Sequence, residues 1–148
     1  MKLYFLVEGQ SSEMIVYPEW VGSLLPHIPI FTNFNDFYNT NEGIYFISGY
    51  GYPSILNHIS NAISDINQIG NIDYFYVIVD SDEETISDRE TEVSDYINRT
   101  SLVNTESVII VQNRCFETML LGNVRVMPRY PTTEPLISYR NYYDVIPS

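Results

Sequence analysis

Four short segments rich in β-branched and aromatic residues constrain the fold of this 148-residue chain more than any other feature. They are Leu3 to Val7, Gly43 to Ser48, Tyr74 to Val79 and Ser107 to Gln112. Turn-forming or charged residues bound them, as is typical of β-strands. Three of the four are apolar nearly throughout instead of alternating, which predicts strands covered on both faces of a parallel sheet.

Helix patterns lie between these segments. They cover residues 11 or 12 to about 24, 53 to 70, about 87 to 99, and a short stretch from about 115 to 122. Apolar residues at steps of three and four make the second pattern the clearest. The third offers only Val93, Tyr96 and Ile97 for burial, so we expect an outer helix. The stretch from Pro26 to Asn41 has no period and predicts a loop or an irregular strand.

The alternation of strand and helix patterns predicts an α/β protein whose mainly parallel four-stranded sheet is flanked by helices. A chain of this length is expected to form a single domain over residues 1–148. Its core would span about residues 3–121. Residues 122–148 would be a C-terminal extension, and the sequence leaves open whether that extension is complete.

Negative charge is concentrated in one part of the chain. Nineteen Asp and Glu outnumber seven Lys and Arg, which gives a formal net charge of −12, and eight of the acids lie between Asp80 and Asp95. This balance argues against a protein that coats nucleic acid, because neutralising phosphates requires basic side chains. The same balance is compatible with an enzyme that acts on nucleic acid through a bound metal ion.

Acidic residues follow two of the predicted strands. Glu8, Gly9 and Glu13 come after the first strand, and Asp80 and Asp82 come at the end of the third. Ligand sites of open α/β sheets gather at the carboxyl ends of strands. Two residues of extended chain span about 6.6 Å and point their side chains the same way. The two aspartates can therefore converge on one divalent ion or hold two, and the spacing predicts a Mg²⁺ or Mn²⁺ site.

A simpler interpretation of the same residues is available. Asp-x-Asp after a strand is also common turn chemistry, because Asp caps helices and forms Asx turns. The other acids of the run are expected to form a solvated helix face: Glu83, Glu84, Asp88, Glu90, Glu92 and Asp95. The presence of acids at two separate strand ends favours the metal interpretation.

The order of these motifs resembles that of the Toprim family of topoisomerases, primases and OLD-type nucleases, in which Glu-Gly ends one strand and Asp-x-Asp a later one. The segment from Val7 to Glu13 is similar to the Val-Glu-Gly-x-x-x-Glu opening of small OLD/RloB-type nucleases of bacterial defence systems. The segment from Asn113 to Leu121 is similar to their Asn-x-Cys-Phe-Glu-x-Trp-Leu-Leu, with Met119 in place of Trp.

The resemblance implies a Rossmann-like Toprim fold and a catalytic set of three acids. Glu8 would act as general acid/base, and Asp80 and Asp82 would bind Mg²⁺ for phosphodiester hydrolysis. Glu8, Glu13 and Glu84 are further metal-ligand candidates. Glu117 is a secondary site residue by the same resemblance, with capping of a helix as its alternative role.

Three arginines are candidates for phosphate contact, because Arg presents a planar fork of donors and these lie in the less acidic part of the chain. They are Arg114, Arg125 and Arg129, and ordinary surface charge is the alternative for each. A single cysteine, Cys115, allows no internal disulfide. The opening apolar run ends at Glu8 without a cleavage site, and no segment is long enough to span a membrane. We therefore expect a cytoplasmic location and no membrane partner.

The sequence thus predicts a Mg²⁺-dependent Toprim-type nuclease of bacterial or phage defence, which holds nucleic acid weakly by itself and works with a protein partner. A homo-oligomer is compatible with the same residues. One alternative is a non-catalytic Toprim-like acidic binding module within a larger complex. Another is a phosphatase, because Asp80 to Thr85 resembles the Asp-x-Asp-x-Thr of haloacid dehalogenases with one residue too many. A receiver domain would require a late lysine, and the only lysine is Lys2.

Overall fold

A computed structural model describes residues 1–113, which form a parallel sheet with helices on both faces. Its strands are β1 (Lys2–Val7), β2 (Ile30–Phe31), β3 (Gly43–Ser48), β4 (Tyr74–Asp80) and β5 (Glu106–Gln112). Its helices are α1 (Ser12–Leu24), α2 (Phe34–Tyr38), α3 (Ser54–Ile69) and α4 (Ile86–Asn98). The strand order is β2-β3-β1-β4-β5, and every neighbouring pair is parallel.

Strand β1 lies at the centre of the sheet and is buried along its whole length. Val7, its last residue, is in register with Ser48 of β3 and Ile78 of β4. Asp80, which ends β4, is in register with Gln112 of β5. Because all the strands run the same way, their last residues lie along one edge of the sheet, which we call the carboxyl edge.

Two apolar layers cover the sheet. Alternate residues of β1, including Tyr4 and Leu6, pack with α3, α4 and Phe37 of α2 on one face. Phe5 and its alternates pack with Tyr17 of α1 on the other face. On that second face the Phe5 ring stacks on Phe46 at 4.6 Å and on Tyr76 at 4.5 Å between centroids. This ladder of three rings crosses β3, β1 and β4, the strands that lead to the carboxyl edge.

The α/β class and the parallel sheet are confirmed, and all four predicted strands are present. The strand count of four is wrong, because the sheet has a fifth strand in the stretch predicted as a loop or irregular strand. That strand, β2, pairs only two residues with β3, which is too short for a periodic pattern. Helix α2 follows it, and its first amides, at Asn35 and Asp36, donate to the Asn33 side chain.

None of the helices in the described part of the chain has the length and apolar character needed to cross a bilayer. The helix predicted near Cys115 and the extension over residues 122–148 lie outside the described residues. The prediction of one domain over residues 1–148 stays a prediction.

Candidate functional site

The end of β1 is hydrogen-bonded to the loop after β3 on one side and to β4 itself on the other. The amide of Gly49 donates to the Val7 carbonyl, and the amide of Gly51 donates to the Glu8 carbonyl, each at 2.7 Å. On the other side the Glu8 amide donates to the Ile78 carbonyl of β4 at 3.0 Å. Backbone bonds from β3 and β4 therefore fix the position of Glu8 at the carboxyl edge.

The Glu8 side chain lies against the end of β4. Its Oε2 accepts a hydrogen bond from the backbone amide of Asp80 at 2.7 Å. Partial burial raises the pKa of the Glu8 carboxyl, and the negative charges of Asp82 and Glu13 raise it further, against the opposing effects of the Asp80 amide and Arg89. Glu8 therefore keeps its proton to a higher pH than an ordinary glutamate does.

Asp80 and Asp82 are separated by a turn. Asp80 is buried as the last residue of β4, and Asp82 is exposed with a left-handed φ of +51°. The Glu84 amide donates to the Ser81 carbonyl at 2.9 Å and closes the turn. The expectation that the chain is extended from Asp80 to Asp82 is therefore wrong, and the turn agrees with the alternative interpretation of Asp-x-Asp as turn chemistry. Asp tolerates the left-handed region better than most residues do, which suits it to this position.

Glu13 approaches the same place from the first turn of α1. Its carboxyl group occupies the space that a Cβ on Gly9 would fill, so a glycine is required there unless Glu13 moves. Burial raises the pKa of the Tyr17 phenol, and the charges of Asp80 and Glu13 raise it further. The Tyr17 hydroxyl donates to Gln112 Oε1 at 3.0 Å. We call Glu8, Glu13, Asp80 and Asp82 the acidic rim.

Of the remaining predicted site residues, Glu84 is the one that the structure describes, and it is not part of the acidic rim. Glu84 is exposed in the turn before α4. The other acids of the run are exposed as expected, except that Glu92 is half-buried and accepts a hydrogen bond from the Tyr52 hydroxyl. Glu117, Arg114, Arg125 and Arg129 lie outside the described residues.

The acidic rim offers the carboxylate oxygens that a hard divalent ion prefers, but the present positions of its side chains do not form a complete set of ligands. Within residues 1–113, no three His, Cys, Asp or Glu side chains are placed so that they could hold a metal ion together. Mg²⁺, however, is commonly held by one or two carboxylates together with waters and substrate phosphate oxygens. An all-oxygen set with a surplus of negative charge suits an ion that arrives with a phosphate substrate.

Sequence reasoning missed one residue beside the acidic rim. Arg89 of α4 is buried, and its guanidinium lies over the Tyr52 ring at 3.7 Å from the ring centroid. Its Nη2 donates to the Ser81 carbonyl at 3.3 Å. Arg89 is the only basic residue between Asp80 and Asn98. A lone arginine in an acidic run is the signal that could have identified it.

Comparisons of the chain with protein-family models, curated proteins and solved structures gave no match. The parallel sheet and the contacts of the acidic rim are therefore the observations from which a function is inferred.

Proposed function

We propose that this chain is a Mg²⁺- or Mn²⁺-dependent nuclease of the Toprim type that hydrolyses phosphodiester bonds at the acidic rim. The observation that carries the proposal is the hydrogen bond from the Asp80 amide to Glu8 Oε2. It joins an acid of raised pKa to the end of the neighbouring strand, next to two further carboxylates. The order of Glu8-Gly9 and Asp80-x-Asp82 along the chain supports the same assignment.

Glu8 is suited to proton transfer. A carboxyl with a raised pKa retains its proton to a higher pH than an ordinary glutamate and can donate it during a reaction, and partial exposure leaves Glu8 accessible to water or a substrate oxygen. Asp80 and Asp82 would hold the ion, with Glu13 and Glu84 as further ligands. When bound, the divalent ion would polarise the phosphate and lower the pKa of a coordinated water.

Substrate binding needs help from outside the acidic rim. Phosphates are repelled by a chain whose formal net charge is −12, so this chain by itself would hold nucleic acid weakly. We propose that Arg114, Arg125 and Arg129, together with a protein partner, supply the missing positive charge. The resemblance to OLD/RloB-type nucleases is what suggests a role in bacterial or phage defence.

Replacing Asp80 and Asp82 together by Asn is expected to lower the rate of metal-dependent cleavage by roughly a thousandfold or more, because a bound ion lowers the activation barrier by several kcal/mol. Asn keeps the side-chain volume and tolerates the left-handed φ of Asp82. The measurement is cleavage of labelled single- and double-stranded DNA and RNA in Mg²⁺ and in Mn²⁺.

The matched control is Glu90→Gln with Asp95→Asn, which removes the same charge from the exposed face of α4 and should leave the rate unchanged. A parent protein that cleaves none of these substrates, or a double Asp80/Asp82 variant as active as the parent, would contradict the nuclease proposal. A phosphate monoester in the same panel tests the phosphatase alternative.

A second function is favoured by one observation, the lack of a three-carboxylate metal cluster within residues 1–113. It is a non-catalytic module whose acidic rim binds a basic partner within a larger complex. This alternative predicts no cleavage by the parent and salt-sensitive binding to that partner, which the double Asp80/Asp82 variant weakens.

A further inference from the structure

Arg89 joins two loops of the carboxyl edge. Its guanidinium lies on the ring of Tyr52, which belongs to the loop between β3 and α3, and it donates to the carbonyl of Ser81, which belongs to the turn after β4. Ser81 is itself buried and stands between Asp80 and Asp82. The positive charge of Arg89 also acts on the pKa of Glu8, which places the guanidinium within electrostatic reach of the acidic rim.

In the described part of the chain, the contacts of Arg89 are too few to satisfy all the donors of its buried guanidinium. The residue is 3 % exposed, and within residues 1–113 its Nε and Nη1 have no hydrogen-bond partner. Its ion pair is long, 3.8 Å from Nη1 to Glu92 Oε1, and the Glu92 side chain is 38 % exposed. Burying charged donors without acceptors costs free energy, and this cost offsets part of what the contacts of Arg89 contribute to stability.

We propose that Arg89 is a positioning residue that fixes the turn carrying Asp80 and Asp82 and so keeps their carboxylates placed for the metal ion, an inference that rests on the proposed function. It acts through the Ser81 carbonyl and the Tyr52 ring and contacts neither metal nor substrate. Partners that orient ligating groups in this way typically change metal affinity by about 10–100-fold when they are removed.

The sign of the effect separates this role from a simple effect of charge. Removing a positive charge close to carboxylates strengthens their attraction for a cation. Removing a positioning residue weakens metal binding, because the turn no longer holds the two aspartates in place. Arg89→Met therefore distinguishes the two by the direction of the change.

The experiment compares Arg89→Met and Arg89→Lys with Arg99→Met. Arg99 is the matched control, because its guanidinium also lies over a tyrosine ring, Tyr96, at 3.9 Å, but at the exposed end of α4. Mn²⁺ affinity is measured from the electron spin resonance of free Mn²⁺, and the thermal midpoint is measured without metal. We expect Arg89→Met to bind Mn²⁺ about tenfold more weakly at a temperature well below its own thermal midpoint, where the variant is folded.

The Mn²⁺ affinity of Arg89→Lys should fall between those of the parent and Arg89→Met, because Lys keeps the positive charge and loses the planar guanidinium group. Arg99→Met should bind Mn²⁺ as the parent does. Arg89→Met that binds Mn²⁺ as tightly as the parent, or more tightly, overturns the role. So does a fall in midpoint that Arg89→Lys restores together with affinity, since that pattern belongs to a structural residue.

The double Asp80/Asp82 variant in the same titration separates the two proposals. A parent that binds no Mn²⁺, or a double variant that binds it as the parent does, overturns the proposed function and the role of Arg89 with it. Loss of binding in the double variant with unchanged binding in Arg89→Met overturns only the role of Arg89.

Discussion

Glu8→Gln is expected to lower metal-dependent cleavage by about two to four orders of magnitude, the range typical of losing a general acid or base. Gln has nearly the same shape, and its carbonyl oxygen can still accept the hydrogen bond that Glu8 Oε2 accepts from the Asp80 amide. The fold should therefore be retained while proton transfer is lost. The measurement is the cleavage rate of parent and variant over a range of pH, and the limb set by Glu8 should be missing in the variant.

The stability of the metal-free protein provides the control for that variant. Because folding raises the pKa of Glu8, the neutral carboxyl favours the native state below the ordinary range of glutamate, and this contribution is lost as the pH rises through the raised value. Gln cannot ionise. Glu8→Gln should thus be at least as stable as the parent at neutral pH, with the difference vanishing in acid. If the variant is less stable than the parent at neutral pH, its loss of activity is due to unfolding and not to the loss of proton transfer.

Phe5→Ala is expected to destabilise the protein by about 3–5 kcal/mol, as is typical when a buried aromatic ring is removed. Phe5 is buried and stacks on Phe46 and Tyr76, so the change opens a cavity in the middle of the ladder that joins β3, β1 and β4. For a domain of this size the thermal midpoint should fall by roughly 10–20 °C. Chemical and thermal denaturation measure the effect.

The control for that change is Ile15→Ala on α1, where the side chain is 68 % exposed. It should alter the free energy of unfolding by no more than about 0.5 kcal/mol. A decrease of less than about 1 kcal/mol in the free energy of unfolding for Phe5→Ala would contradict the stacked arrangement, because removing a well-packed ring costs more than that.

Much of the fold was predictable because its main elements have strong local patterns. Helix α3 begins and ends within a residue of the prediction, since its apolar face is regular and Gly70 ends it in the left-handed region. Helix α2 was missed, and β2 was covered only by the prediction of a loop or irregular strand, because the stability of both elements comes from contacts with the rest of the fold. Strand β2 depends on pairing with β3, and α2 depends on burying Phe37 and on the Asn33 cap.

The candidate site was predictable only in part. Glu8 and Asp80 were expected at one edge because the ends of parallel strands lie together, and the structure places them in contact. The turn at Ser81 agrees with the alternative interpretation of Asp-x-Asp as turn chemistry, whereas the left-handed φ at Asp82 leaves no clear mark in the sequence. Arg89 was missed because a charged residue is normally assigned to the surface, whereas its stem packs inside and its fork stacks on a tyrosine.

Anomalous scattering from crystals soaked in millimolar Mn²⁺ tests most directly whether the acidic rim holds a divalent ion. We expect a manganese peak in coordination contact with the carboxylates of Asp80 and Asp82, close to the Glu8 side chain. Crystals of the double Asp80/Asp82 variant should lack that peak. No manganese at the acidic rim, or manganese only on the exposed acids of α4, would contradict a metal site at the acidic rim.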